Sequence, residues 1–211
     1  MTKKKCVALL DILRGIYPNA KPALEFSSPF ELLVAVILSA QCTDARVNLV
    51  TRELFKKYRT AADFAALSEE ELEPLIHSCG FYKNKAKGII GSARIIERDF
   101  GGNVPSEIEV LETLPSVGRK TANVVASVAF GADAIAVDTH VFRVSNRTGL
   151  ANAQTPLEVE KQLQKIIPKD RWSESHHLLI YHGRNICHAR KPLCETCPIK
   201  EICEHKLARK S

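Results

Sequence analysis

Cys187, Cys194, Cys197 and Cys203 gather four of the chain's seven cysteines into one short stretch, CHARKPLCETCPIKEIC. Their spacing, Cys-x6-Cys-x2-Cys-x5-Cys, suits thiolates that share a metal. A zinc site of four thiolates commonly pairs two short knuckles, each with cysteines two to four residues apart, and here only one short pair exists. Four thiolates equally hold an iron-sulfur cube, which tolerates several spacings. Spacing alone leaves cluster, zinc and unliganded thiols open. Cys6, Cys42 and Cys79 have no such company and sit on apolar segments of helical pattern, where a cysteine behaves as a small buried hydrophobe.

A second constellation lies upstream in LETLPSVGRKTANVVASVAFG, residues 111–131. A helix there meets Pro115, the chain turns through Ser116, Val117 and Gly118, and a second helix starts near Arg119 with Ala122, Val125 and Ala129 on one face. In such a hairpin the turn N–H groups and the first N–H groups of the second helix point the same way, and the helix dipole adds positive potential. That corner suits a phosphate; an ordinary packing corner is the other reading. A P-loop is excluded, because Gly118 is not adjacent to Lys120, no glycine stands five places earlier and no strand precedes. Beyond it, AIAVDTHVFRV carries Asp138 between an apolar segment and a new helix. Helix capping alone explains an aspartate there. A lysine amine and a carboxylate near a phosphate-binding corner are also the parts of a nucleophilic site.

The elements that must position these groups are helices. Thr60-Ala-Ala-Asp63, Ser68-Glu-Glu-Glu71, Ser106-Glu-Ile-Glu109 and Thr155-Pro-Leu-Glu158 each place a hydroxyl three residues before an acid, the pattern of a capped helix start. Gly80, Gly101-Gly102, Gly131 and Gly149 stand where apolar periodicity stops. No segment alternates with period two and no Asn-Gly or Asp-Gly hairpin occurs, so the fold expected is all-α, with about ten short helices. The run FELLVAVILSA is about half the length that spans a bilayer and reads as a buried core helix. In MTKKKCVALLDILRGIYP, Asp11 and Arg14 interrupt the apolar run and no cleavage site follows, which favours a first helix over a leader. The expectation is a cytoplasmic protein with no membrane partner, where clustered cysteines serve metals more often than disulfides. A formal charge of +6 permits a nucleic-acid partner without demanding one.

Taken together, LSAQCTD (38–44), LPSVGRKTANVV (114–125), VDTHVFRV (137–144) and the cysteine spacing at 187–203 make the chain resemble, over nearly its whole length, the bacterial endonuclease III family of helix-hairpin-helix DNA glycosylases. The resemblance implies a [4Fe-4S] cluster on Cys187, Cys194, Cys197 and Cys203. It implies two helical domains: a six-helix barrel over 22–133 that contains the helix-hairpin-helix (about 106–130), and a cluster domain made of 1–21 and 134–211. The active site then lies in the cleft between them. It further implies a monomer that acts on damaged double-stranded DNA, extruding the damaged nucleotide before chemistry.

In that scheme Lys120 attacks C1′ of the sugar to form a Schiff base, and burial, Arg119 and the helix dipole each disfavour its ammonium form. Asp138 accepts the amine proton and stabilises positive charge developing on the sugar. Ser116, Val117, Gly118 and Arg119 grip the backbone beside the lesion. Gln41 and Phe81 wedge into the base stack, with Asp44 facing the same pocket. Phe81 is larger than the leucine expected of the family, and Ser116 replaces a usual glycine, so either the turn carries about 1 to 2 kcal/mol of left-handed strain or this hairpin differs slightly. His188, Arg190 and Lys191 form a basic finger shaped by the cluster, alongside Arg184; a solvated basic loop is the other reading. Adenine-specific relatives carry a further C-terminal domain and lack this lysine, so a chain ending at Ser211 favours damaged pyrimidines. An idle DNA-binding module and an iron-sulfur electron carrier are the competing functions; neither requires Lys120 or Asp138.

Overall fold

In a computed structural model that describes residues 1–205, the chain is helical, with no strand among the described residues. The helices are α1 (Lys3–Ile16), α2 (Pro29–Leu38), α3 (Asp44–Leu54), α4 (Ala61–Ala65), α5 (Glu69–Ile76), α6 (Tyr82–Phe100), α7 (Ile108–Leu111), α8 (Arg119–Phe130), α9 (Thr139–Thr148), α10 (Pro156–Ile166) and α11 (Trp172–Asn185). Two 3-10 turns, His77–Cys79 and Lys169–Arg171, add to them.

Local chemistry accounts for most of the boundaries. Thr60, Ser68 and Thr155 each close a reciprocal capping box with Asp63, Glu71 and Glu158, which satisfies two orphan donors at each start. Gly101, Gly131 and Gly149 end α6, α8 and α9 in the left-handed conformation, as glycine does at small cost. Ser106 departs from expectation: α7 begins at Ile108 behind Glu107, with no side-chain cap. A single turn this short is set by packing, through the fully buried Leu111, rather than by its cap. Cys42 also departs, lying half-buried in the turn after α2 rather than on a helix.

The chain divides into two compact units, Pro22–Ala132 and Met1–Lys21 with Asp133 onward. In the first, nine of the ten α2 residues are buried. Eight of them, all but Glu31, share a core with Phe64, Leu72, Ile89, Ile96, Leu111 and Val125. Burying each such side chain contributes about 1.5 to 3 kcal/mol. Helix α6 packs on α4 and α5, and α8 on α2 and α7. In the second unit α11 packs on α1 and α9, around Leu9, Leu10, Leu13, Val141, Val144 and Leu179. No helix among the described residues is long and apolar enough to cross a membrane.

Candidate active site and cluster loop

The turn between α7 and α8 is built from its own backbone. Leu114 N–H donates to Leu111 O and Val117 N–H to Leu114 O, each at 3.1 Å. Ser92 Oγ, on α6, donates to Pro115 O at 2.7 Å. Ser116 takes φ 61°, so the left-handed position expected at this residue is present and is borne by a serine. Val117 turns its side chain into the core, 5% exposed, and spends its N–H within the turn, so it anchors the hairpin. Gly118 has ordinary extended backbone and open space where a Cβ would point. No contact within the fold demands a glycine there. Arg119 reaches back across the hairpin to Glu112 at 3.0 Å. Lys120 is the second residue of α8 and is exposed, so burial, one of the three influences expected on its amine, is not present.

Asp138 belongs to the other unit. The four residues before it, Ala134 to Val137, are buried, and His176 Nδ1–H donates to Ala136 O at 2.8 Å, which holds that segment in place. Asp138 Oδ1 accepts from Val141 N–H at 2.7 Å and so caps α9. Capping and chemistry are compatible here, because a carboxylate has a second oxygen.

Four non-glycine residues have positive φ: Gln41 (52°), Phe81 (49°), Ser116 (61°) and Lys191 (51°). All four belong to the set that the resemblance assigns to DNA. Such conformations are sparsely populated, cost on the order of 1 to 3 kcal/mol each and gather at functional sites. Phe81 is 64% exposed on the residue before α6, a large apolar ring outside the core. Gln41 is exposed in the turn after α2. Asp44 opens α3, but the cap is Thr43, whose Oγ1 accepts from Arg46 N–H.

The four C-terminal cysteines line one small pocket, partly open to solvent, together with Arg147 and His182. Among the described residues no three metal-binding side chains are grouped to hold a single ion; the thiols ring a space instead. The Cys197 thiol is pushed up, first by burial and, against a hydrogen bond from the Ile199 amide, by the neighbouring thiols of Cys203, Cys187 and Cys194. Four thiolates this close repel until a cationic centre lies among them, and a multi-iron cube fits this donor set.

Two arginines that sequence reading did not single out tie the loop down. Arg143 donates to Cys187 O and Gly183 O, both at 2.9 Å. Arg147 donates to His188 O at 2.6 Å and Ala189 O at 2.9 Å, and approaches Cys187 Sγ at 3.6 Å. Their four-residue spacing on α9 puts both on one face, the one signal that marked them. His182 Nε2 lies 3.7 Å from Cys197 Sγ, and burial pushes its imidazole down to about 4, so it is neutral. Arg190 and Lys191 stand exposed on the loop so held, and Arg184 is exposed near the end of α11.

Comparison with known proteins identifies the family of the chain. Residues 34–169 match the HhH-GPD superfamily base excision DNA repair protein model, and residues 187–203 the iron-sulfur binding domain of endonuclease III. The chain is 52% identical over 195 residues to Endonuclease III of Bacillus subtilis (strain 168), covering 92% of this chain and 89% of that one. It is 47% identical over 206 residues to Endonuclease III of Escherichia coli (strain K12), covering 98% of each. A solved trapped endonuclease III-DNA covalent intermediate, an estranged-adenine complex, superposes with a TM-score of 0.94 at 50% identity over the whole of both chains. A thermostable thymine-DNA glycosylase at 24% identity shares the fold, with a TM-score of 0.87 over 97% of this chain and 98% of that one.

Proposed function

The chain belongs to the HhH-GPD superfamily of base excision DNA repair proteins, in its endonuclease III branch, and from that premise we propose how its residues divide the work of a DNA glycosylase and abasic-site lyase. The substrate is an oxidised pyrimidine in duplex DNA, taken out of the stack, and the enzyme acts as a cytoplasmic monomer. Lys120 Nζ bonds to C1′ as the glycosidic bond breaks, and the departing base takes the electron pair and a proton. Opening of the sugar leaves an iminium, which acidifies the proton on C2′. Loss of that proton expels the 3′ phosphate by β-elimination and cuts the strand. Asp138 takes the amine proton and faces the developing positive charge.

The observation that carries this reading is Lys120 in the first turn of α8, exposed, two residues after a bare Gly118. A phosphate held on the hairpin N–H groups brings a sugar beside that amine. Ser116, Gly118 and Arg119 form the backbone grip, on a hairpin that Val117 anchors with its buried side chain and its N–H to Leu114 O. Gln41 and Phe81 fill the gap left by the extruded nucleotide, with Asp44 beside them. Cys187, Cys194, Cys197 and Cys203 hold the [4Fe-4S] cluster, which shapes the loop that sets Arg190 and Lys191, with Arg184, on the DNA backbone. The cluster, when bound, supplies that shape and takes no part in the bond changes.

Borohydride decides the nucleophile. With duplex DNA containing thymine glycol, reduction of the imine traps the enzyme covalently, and a slow-migrating band appears on a denaturing gel. Lys120→Gln loses the band and base removal while still binding an abasic-site analogue. Trapping of Lys120→Gln at the wild-type level makes another amine the nucleophile.

A further inference from the structure

Lys85 is 5% exposed, a charged side chain inside the first unit. Its Nζ donates to Leu38 O at 2.8 Å, Ala40 O at 2.7 Å and Cys79 O at 2.8 Å. An ammonium has three donors, and all three are spent on main-chain carbonyls from two separate turns. Its own backbone N–H donates to Phe81 O at 3.1 Å. Burial pushes the ammonium's pKa down, and the neighbouring Cys79 and Cys42 thiols oppose that push.

Capping of α2 explains the bond to Leu38 O and no more. Ala40 O belongs to the peptide that enters Gln41, and Cys79 O to the peptide that enters Gly80, one residue before Phe81. Gln41 and Phe81 are two of the four non-glycine residues with positive φ. One residue therefore holds both left-handed turns: it fixes the first from Ala40 and brackets the second at Cys79 and Phe81.

The geometry points to Lys85 as a positioning residue that locks the Gln41 and Phe81 turns into one preformed wedge, so that the enzyme grips a duplex opened at a lesion. The inference rests on the wedge roles proposed above. A side chain inserted into stacked bases must resist being pushed back, and a backbone pinned on a buried ammonium does not have to be ordered at the moment of binding. The two turns lie about forty residues apart in sequence, at positions 41 and 81, and Lys85 Nζ donates to main-chain carbonyls of both.

The test compares Kd for a duplex bearing a tetrahydrofuran abasic-site analogue with Kd for the same undamaged duplex, using cluster-loaded enzyme whose helical circular dichroism and visible absorbance match wild type. Lys85→Met keeps the stem and removes the donors. Its preference for the abasic duplex should fall on the order of tenfold or more, the scale of a mispositioned group, while affinity for undamaged DNA stays within about twofold, since the phosphate contacts lie elsewhere. In a Gln41→Ala, Phe81→Ala background, Lys85→Met should cost nothing further, because residues acting as a unit are not additive. A folded Lys85→Met with wild-type preference overturns the inference, and so does a full additive loss in the double background. If Gln41→Ala, Phe81→Ala itself keeps wild-type preference, the wedge reading fails and takes this inference with it, a result visible without any change at Lys85. Should Lys85→Met fail to fold, Lys85→Arg answers instead: its planar fork keeps the charge but cannot meet three carbonyls at these points. At least about a fivefold loss of preference, toward the low end of a tenfold positioning effect, supports the lock, and wild-type preference overturns it.

Discussion

Gly88 and Ser116 fit as hole and knob. Ser116 stands at φ 61° in the hairpin, and its Cβ and Oγ occupy the space where a side chain at Gly88 would begin. At Gly91, one turn further along α6, an added Cβ would lie 3.2 Å from Pro115 Cγ, tight but short of the overlap at Gly88. The α6 face that supports the hairpin is therefore bare by necessity, and the strained serine is held by the helix beneath it.

Gly88→Ala separates propensity from packing. In an open helix the change would stabilise by up to about 1 kcal/mol; here overpacking against Ser116 should reverse the sign and cost about 1 to 3 kcal/mol. In a Ser116→Gly background the obstructing atoms are gone, and the same change should become neutral or favourable. Urea unfolding followed by circular dichroism reads both. A stabilised Gly88→Ala in the wild-type background would sink the knob-and-hole account.

Asp138 has two jobs that substitution can part. Asn is as good an N-cap as Asp, so Asp138→Asn should melt close to wild type and still bind an abasic-site duplex, yet turn over at least about a hundredfold more slowly for lack of proton transfer. Asp138→Ala should add a loss of about 1 kcal/mol in stability as the bond from Val141 N–H disappears. Turnover by Asp138→Asn near the wild-type rate in single-turnover assays leaves the carboxylate as a cap alone.

Removing one ligand should empty the cluster site. Cys194→Ser is expected to lose the broad visible absorbance of iron-thiolate charge transfer and the full load of about four irons per chain that four cysteine ligands hold. Affinity for DNA should fall with it, since Arg143 and Arg147 tether the loop only at Cys187, His188 and Ala189. Iron analysis and a binding isotherm on the same preparation check both, and an unchanged iron content contradicts the ligand assignment.

Lys191 is exposed at φ 51° on that loop. If its ammonium meets a phosphate, Lys191→Ala releases one fewer counterion and should flatten the log Kd against log salt slope by about 0.9. Titrations of an undamaged duplex across a salt series measure it. A slope that does not move places the side chain away from the DNA backbone.

What the amino-acid order determined by itself is whatever acts within a few residues. The Thr60, Ser68 and Thr155 capping boxes and the Asp138 cap each join atoms three residues apart, so sequence and structure agree on them. The glycine stops after α6, α8 and α9, and the ring of four close-spaced cysteines, are local in the same sense. Ser106 departs from its local pattern even at this range, because a one-turn helix takes its start from packing. The tertiary structure alone decided which distant groups meet. Lys85 finds carbonyls 45 and 47 residues back, Arg143 and Arg147 reach Cys187 and His188 from 40 or more residues away, and Ser116 finds the one bare turn of α6. No periodicity encodes such pairings. They arise when buried apolar faces fix helices against one another, and the polar and charged groups carried inside must then take the partners that the packing leaves within reach.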